Sequence, residues 1–150
     1  MGQGAVEAFL ARHRRIALDT SVFIYELEEN PRYRKLTHPV FQWLERTGHE
    51  AVTSTVTLME LLVLPYRDED QQLLDFFYGL LSTYPNLRWL VPDLDIADIA
   101  AKIRALHRLR GIDALLAATA VKSQATGLIT NDAVFERVDS YETLVLDRLL

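Results

Sequence analysis

The chain has 150 residues, which is the usual size of one domain and enough to bury a core that folds unaided. Hydrophobic residues make up 49% and charged residues 25%, values that exclude a disordered or fibrous protein. The absence of cysteine excludes disulfides, thiolate metal sites and cysteine nucleophiles. The net charge of -5 disfavours bulk electrostatic binding of nucleic acid, although a cation held by acidic side chains would cancel that charge locally.

The sequence also predicts where the protein works. Residues 1–15 lack the apolar core and cleavage site of a secretion signal. No stretch approaches the roughly 20 apolar residues that a membrane span needs. We therefore expect a cytoplasmic protein with no membrane association.

Along the chain, helical patterns alternate with short apolar runs. The runs predict five strands, at residues 16–18, 51–53, 88–91, 128–130 and 144–146. The helical patterns predict helices at residues 3–13, from 22, from Pro39 to near Gly48, from about 55 to Pro65, at 70–83, from 96, and from Asp113 to a stop at Gly127. This alternation predicts an α/β fold, a three-layer α/β/α sandwich with a short, mostly parallel sheet of about five strands.

Four acidic residues stand where such a fold would gather them. Asp19 and Asp132 directly follow predicted strands, and Glu60 and Asp113 lie in early turns of predicted helices. The carboxyl ends of the strands border the ligand cleft in doubly wound sheets. Each acid also has a structural explanation: Asp19 as a helix cap, Glu60 as part of a capping box begun by Thr57, Asp113 as a partner of the helix dipole, and Asp132 as a turn residue.

The combination of the acids points to a metal ion. Carboxylates packed together repel one another and raise one another's pKa unless a cation neutralises them. The four acids have no neighbouring cysteine or histidine in the sequence, and oxygen ligands alone suit Mg²⁺ or Mn²⁺.

Four segments together resemble the successive motifs of a known family. They are LDTSVFIY at 18–25, TLMEL at 57–61, DALLAATA at 113–120 and ITNDAVF at 129–135. In order and spacing they are similar to the motifs of PIN-domain ribonucleases, and most closely to the VapC toxins of toxin–antitoxin pairs. The resemblance covers nearly the whole chain from about Arg15, and it treats 1–14 as an N-terminal extension of a single domain over 1–150.

The resemblance implies a function and a set of site residues. It implies cleavage of RNA phosphodiester bonds with Mg²⁺ or Mn²⁺, a VapB-like antitoxin as partner, and a homodimer. The residues that it implies are the metal-binding and catalytic acids Asp19, Glu60, Asp113 and Asp132, with Thr20, Ser21 and Thr130 as helpers. An RNA-processing nuclease outside a toxin–antitoxin pair, or a PIN-like binding module without activity, remain alternatives.

Two other features bear on function. Arg104, Arg108 and Arg110 precede Asp113 and would either hold RNA phosphates or simply form a solvated helix face. The apolar stretch at 58–64, together with the leucines and phenylalanines of 73–80, is richer than one buried face requires, which suggests an interface.

Two other acidic enzyme classes are disfavoured by single positions. A phosphatase of the haloacid dehalogenase type expects a second aspartate at the position of Ser21. A phosphoacceptor receiver domain expects a lysine after a late strand, and this chain has lysine only at positions 35, 102 and 122.

Overall fold

The structure is a computed structural model that describes residues 2–150, so Met1 of the predicted N-terminal extension lies outside the described residues. Five strands form one sheet in the order β3-β2-β1-β4-β5, and every pairing is parallel. The strands are β1 (Arg15–Leu18), β2 (Glu50–Ser54), β3 (Leu87–Leu90), β4 (Gly127–Thr130) and β5 (Glu142–Val145). The predicted α/β sandwich is confirmed, with a sheet that is parallel throughout.

Helices connect the strands and cover both faces of the sheet. The α-helices are α1 (Gly2–Ala11), α2 (Thr20–Leu27), α3 (Arg34–Leu44), α4 (Thr55–Arg67), α5 (Gln71–Leu81), α6 (Leu94–His107) and α7 (Gly111–Lys122). Two 3-10 helices follow β4 and β5, at Ala133–Arg137 and Leu146–Leu149. Within residues 2–150, no helix has both the length and the apolar character to cross a membrane.

The central strand β1 is buried on both faces, as strands of parallel sheets usually are. Ile16 and Leu18 point into a core formed with α1 to α5, whereas Ala17 points into a second core formed with α6 and α7. This alternation explains why the strand contains only apolar residues after Arg15. The residue that follows it, Asp19, emerges at the edge of the sheet where both layers meet.

The N-terminal helix belongs to the main core. Val6, Phe9 and Leu10 of α1 are buried and the helix packs against α3. Phe9 also approaches Gly127 so closely that a Cβ on that glycine would lie 2.7 Å from the ring. The prediction that Gly127 ends the preceding helix is therefore wrong. That helix ends at Lys122, Gln124 adopts the left-handed backbone conformation with φ 61°, and Gly127 opens β4.

The predictions that Pro39 lies in the first turn of a helix and that a helix ends at Pro65 are also wrong. The third helix starts at Arg34, five residues before Pro39, because the Asn30 side chain accepts hydrogen bonds from the backbone N–H groups of Arg32 and Tyr33 and starts the turn earlier. The fourth helix continues to Arg67, past Pro65. In both helices the proline is buried, and the packing of its apolar neighbours outweighs the backbone hydrogen bond that the ring removes.

Candidate active site

Each of the four acids lies near the carboxyl edge of the sheet or in an adjoining helix. Asp19 follows β1 and caps α2, while Asp132 follows β4 and caps the first 3-10 helix. Glu60 lies in the second turn of α4, and Asp113 lies in the first turn of α7. Strands β1 and β4 are neighbours, and the chain order reverses between them, so this edge is the topological switch point of the sheet.

Asp19 is the most firmly held of the acids. Its Oδ2 accepts hydrogen bonds from the hydroxyls of Thr130, at 2.6 Å, and Ser21, at 3.2 Å. Its Oδ1 accepts one from the backbone N–H of Thr20 at 2.7 Å. Burial raises the pKa of Asp19 above its ordinary value, and these hydrogen bonds oppose that rise. The capping role expected for Asp19 alone is real, and it leaves the carboxylate facing the cleft with its orientation fixed.

Glu60 does not belong to a capping box. The N-cap of α4 is Ser54, whose hydroxyl accepts from the backbone N–H of Val56, so Thr57 cannot start the box that the sequence suggested. The Glu60 carboxylate instead accepts a 2.6 Å hydrogen bond from the Thr20 hydroxyl. A contact across forty positions of the sequence thus ties Glu60 to the residue that follows Asp19.

Asp132 lies on an exposed turn at the mouth of the cleft. Its backbone N–H donates to the Thr130 hydroxyl at 3.0 Å, and its carboxylate accepts from the backbone N–H of Val134. The same threonine hydroxyl donates to Asp19, so Thr130 links the two aspartates. The turn chemistry expected of Asp132 is confirmed, and one carboxylate oxygen has no hydrogen bond within the described residues.

Asp113 carries the electrostatic signature of the cleft. Burial, followed by the negative charges of Asp19, Asp132 and Glu60, raises its pKa to about 6, against the opposing charge of Arg110. The other three acids thus lie within electrostatic range of Asp113. The structure places all four acids that the sequence singled out around the carboxyl edge of the sheet.

The donor set of this cleft suits a hard divalent cation. It consists of carboxylate oxygens and hydroxyls, and the raised pKa of Asp113 shows that negative charge is in excess there. Within residues 2–150, no three acidic or histidine side chains are already gathered closely enough to form a complete metal-binding group.

The supporting residues were predicted unevenly. Thr20, Ser21 and Thr130 all contact the acids: Ser21 contacts Asp19, Thr20 contacts Asp19 and Glu60, and Thr130 contacts Asp19 and Asp132. Asn131 was missed: its backbone N–H donates to Ser21, and its side chain donates to the Tyr25 hydroxyl at 2.9 Å and accepts from the backbone N–H of Asp147 at 2.8 Å. Its position between Thr130 and Asp132 was the only available signal.

The three arginines differ in their relation to the cleft. Arg110 is close enough to lower the pKa of Asp113, which indicates a position at the cleft itself. Arg104 and Arg108 are exposed at the carboxyl end of α6 and border a shallow groove with Ala101, Ala105 and Leu109. Only Arg110 therefore interacts with the predicted acids.

Comparison with known proteins identifies the family. The PIN-domain family model matches residues 16–141. The fold is similar to VapBC2 from Rickettsia felis bound to a promoter DNA fragment, with a TM-score of 0.67 and 17% identity over 87% of this chain and 98% of that chain. It is also similar to DNA-bound VapBC from Salmonella typhimurium, with a TM-score of 0.64 and 25% identity over 88% of this chain and 98% of that one.

A toxin–antitoxin complex from Klebsiella pneumoniae is a further structural neighbour, with a TM-score of 0.62 and 22% identity over 87% of this chain and 97% of that chain. No curated protein sequence matches the chain. The resemblance to VapC-like PIN proteins, predicted from four short motifs, is confirmed. The chain belongs to the PIN-domain family, whose members are generally nucleases, which supports its assignment as a hydrolase that acts on nucleic acids.

Proposed function

We propose that this chain is a metal-dependent ribonuclease that serves as the toxin of a VapBC-type toxin–antitoxin pair in the cytoplasm. The observation that carries the proposal is the Thr130 hydroxyl, which joins Asp19 and Asp132 at the ends of neighbouring strands. Beside them lies Asp113, whose pKa the other acids help to raise. Unpaired acids at the switch point of a PIN-domain sheet are the arrangement that a cation-dependent phosphodiesterase requires.

The role of each residue follows from its burial and its partners. Asp19 and Asp113 are half-buried and would bind Mg²⁺ or Mn²⁺ from the interior of the cleft. Asp132 would bind the ion directly or through water. When bound, the ion would polarise the phosphate and favour the ionised form of a nucleophilic water. Glu60 is exposed, so it would act from the solvent side, as a further ligand or as the base that orients the attacking water.

The remaining polar residues prepare this arrangement before substrate arrives. Thr130, Ser21 and the backbone of Thr20 fix the Asp19 carboxylate in one orientation, which reduces the ordering needed during the reaction. Arg110 would meet a phosphate oxygen beside Asp113, with Arg104 and Arg108 extending a basic path along α6. Substrate RNA would thus cross the mouth of the cleft between α6 and Glu60.

The test is cleavage of matched substrates by the purified wild-type chain. We expect Mg²⁺ or Mn²⁺ to support cleavage of a mixed-sequence RNA, with little cleavage of the DNA of the same sequence and none in EDTA. Cleavage that is unaffected by EDTA would contradict metal dependence, and preferential cleavage of DNA would contradict the ribonuclease proposal. A chain that cleaves neither substrate would favour the inert binding module.

An exposed apolar face supports the proposal of an antitoxin partner. Met59, Val63 and Tyr66 share one side of α4, at intervals of four and three residues, and are each about half exposed, between 46% and 61%. An exposed cluster of large apolar side chains is typical of a protein interface. The structural neighbours include VapBC and toxin–antitoxin complexes, so we propose that a VapB-like antitoxin covers this face.

This partner can be tested with the small protein encoded beside the gene. We expect V63E to weaken the complex by at least tenfold, because a buried unpaired carboxylate costs several kcal/mol at an interface. The matched control is L106E, which places the same charge on an exposed leucine of α6. Equal binding by both variants would contradict the proposed face. The absence of a neighbouring antitoxin gene would favour an RNA-processing nuclease outside such a pair.

The proposed homodimer has its own measurement. Light scattering after size exclusion, at concentrations from micromolar to millimolar, should give twice the chain mass of 17.2 kDa. A monomeric mass over the whole range would contradict the dimer without affecting the nuclease assignment.

A further inference from the structure

Three buried threonine hydroxyls connect the last carbonyl of β1 to Glu60. Thr53 of β2 donates to the Leu18 carbonyl at 2.9 Å, and its oxygen lies 2.9 Å from the hydroxyl oxygen of Thr57. Thr57 is followed by Thr20 at 3.4 Å, and Thr20 donates to Glu60 at 2.6 Å. The side chains of the three threonines are at most 8% exposed, so water does not compete for these hydroxyls.

Thr57 occupies the middle of this threonine chain. A hydroxyl carries a single proton, and the proton of Thr20 is committed to the Glu60 carboxylate. With the Thr53 proton on the Leu18 carbonyl, the Thr57 proton bridges either to Thr53 or to Thr20, and not to both. When it bridges to Thr20, Thr57 holds the hydroxyl that donates to Glu60.

Glu60 depends on this support more than the other acids do. Its carboxylate is exposed, and Thr20 is its one hydrogen-bond partner among the described residues. A threonine in a helix populates two side-chain rotamers. The Thr57 hydroxyl can therefore favour the Thr20 rotamer in which Oγ1 points toward Glu60. Thr57 lies one helical turn before Glu60 on the same face of α4, which places it to make that choice.

We propose that Thr57 is a positioning residue for the nuclease site, and that it sets the orientation of Glu60 through Thr20. This role rests on the proposed metal-dependent cleavage of RNA. It also gives the Thr57–Glu60 spacing a meaning other than the capping box that the structure excludes. Thr57 touches neither substrate nor ion and acts only through the two residues beyond it.

The test compares T57V with T57S and with a matched control. T57V removes the hydroxyl but leaves the Leu18 carbonyl and the Glu60 carboxylate within reach of Thr53 and Thr20, so no buried donor is left without an available acceptor and the fold should persist. Without the Thr57 hydroxyl, Thr20 is free to turn to its other rotamer, away from Glu60. T57S keeps the hydroxyl and removes the methyl group. The control is T119V, because Thr119 is equally buried and its hydroxyl donates only to the Leu115 carbonyl of its own helix.

Two measurements decide the proposal: crystal structures of the variants, and kcat and KM for RNA cleavage with Mn²⁺. We expect T57V to lose the Thr20–Glu60 contact and to lower kcat by about 10- to 100-fold, the usual range for a lost supporting hydrogen bond at a metal site. KM should stay within about twofold, because Thr57 does not contact substrate. T57S and T119V should keep the wild-type contact and rate.

Each of the other outcomes is decisive as well. A T57V structure with the contact intact, a wild-type kcat despite a lost contact, or equal losses in T57S and T57V would overturn the role of the hydroxyl. If the wild-type chain does not cleave RNA but T57V still displaces Glu60, the proposed function fails while the structural coupling through Thr57 stands.

Discussion

Acidic side chains have different partners at the two ends of the parallel strands, which we call the amino edge and the carboxyl edge of the sheet. At the amino edge, Glu142 lies 2.7 Å from Arg12 and 3.2 Å from His13, and this pairing lowers its pKa. Glu50 is similarly paired with Arg15 at 2.6 Å. At the carboxyl edge, burial and the charges of the other three acids raise the pKa of Asp113 to about 6, with Arg110 opposing them.

This difference separates structural acids from functional ones. An acid with a basic partner contributes modestly to stability and is largely neutralised by that partner. A group of acids without such partners destabilises the folded state and persists where a cation or substrate compensates it.

The largest expected effect is on activity at the carboxyl edge. D19N and D113N should each lower RNA cleavage by about 10²- to 10³-fold, because each removes a charge that the transition state needs while leaving the side-chain volume unchanged. Single-turnover rates with Mn²⁺ measure the loss. E142Q is the control and should stay within about twofold of wild type. Wild-type rates in folded D19N and D113N would show that the acids are not catalytic.

A smaller effect, of the opposite sign, is expected on stability. In EDTA, D113N should unfold at a higher temperature than wild type by about 2–4 °C, which corresponds to roughly 1 kcal/mol in a protein of this size. The reason is that the substitution removes a half-buried charge that its neighbours repel. Thermal unfolding in EDTA gives the comparison, and a D113N variant less stable than wild type would contradict the repulsion.

The stability of D113N relative to wild type should depend on pH. Because the pKa of Asp113 is raised from 3.8 to about 6, the folded state binds more protons than the unfolded state between these values. The free energy of unfolding of metal-free wild type therefore loses the Asp113 contribution as pH rises from about 4 to about 6. The stability advantage of D113N should grow over that interval and then level off. A difference independent of pH would exclude Asp113 titration as its cause.

The smallest expected effect is at the amino edge. E142Q should destabilise the fold by about 0.5 kcal/mol or less, because the Arg12–Glu142 pair is roughly half exposed and solvent screens it. The lowered pKa of Glu142 means that this carboxylate stabilises the wild-type fold near neutral pH, and that the stabilisation is lost as pH falls through the acidic range. Urea unfolding at pH 7 and at about pH 3 should show a smaller loss at the lower pH. A stabilising E142Q would remove the contrast between the two edges.

The sequence predicted those features that depend on local pattern. The short apolar runs around β1 and β4 placed Asp19 and Asp132 at strand ends, because a parallel sheet buries such runs on both faces. Helix boundaries were less accessible. Pro39 and Pro65 lie inside helices, because tertiary burial outweighs the local cost of proline. Helix-breaking residues can be found in the sequence, but the burial that offsets them cannot.

Features that depend on distant contacts could not be derived from local pattern. The spacing of Thr57 and Glu60 fits a capping box, and only the fold shows that Ser54 is the cap and that Glu60 meets Thr20. Gly127 follows a helix, as a terminator would, yet its small size serves the approach of Phe9 from the other end of the chain. In both cases the deciding neighbour is more than thirty residues away.

The central claim, that the acids of the carboxyl edge bind a divalent cation, is tested most directly by calorimetric titration of the metal-free chain with Mn²⁺. We predict saturable binding in wild type and E142Q, at least tenfold weaker binding in D19N, and a matching rise in Tm as Mn²⁺ is added. A wild-type chain that neither binds Mn²⁺ nor gains stability from it would contradict the claim and identify the domain as a binding module without metal chemistry.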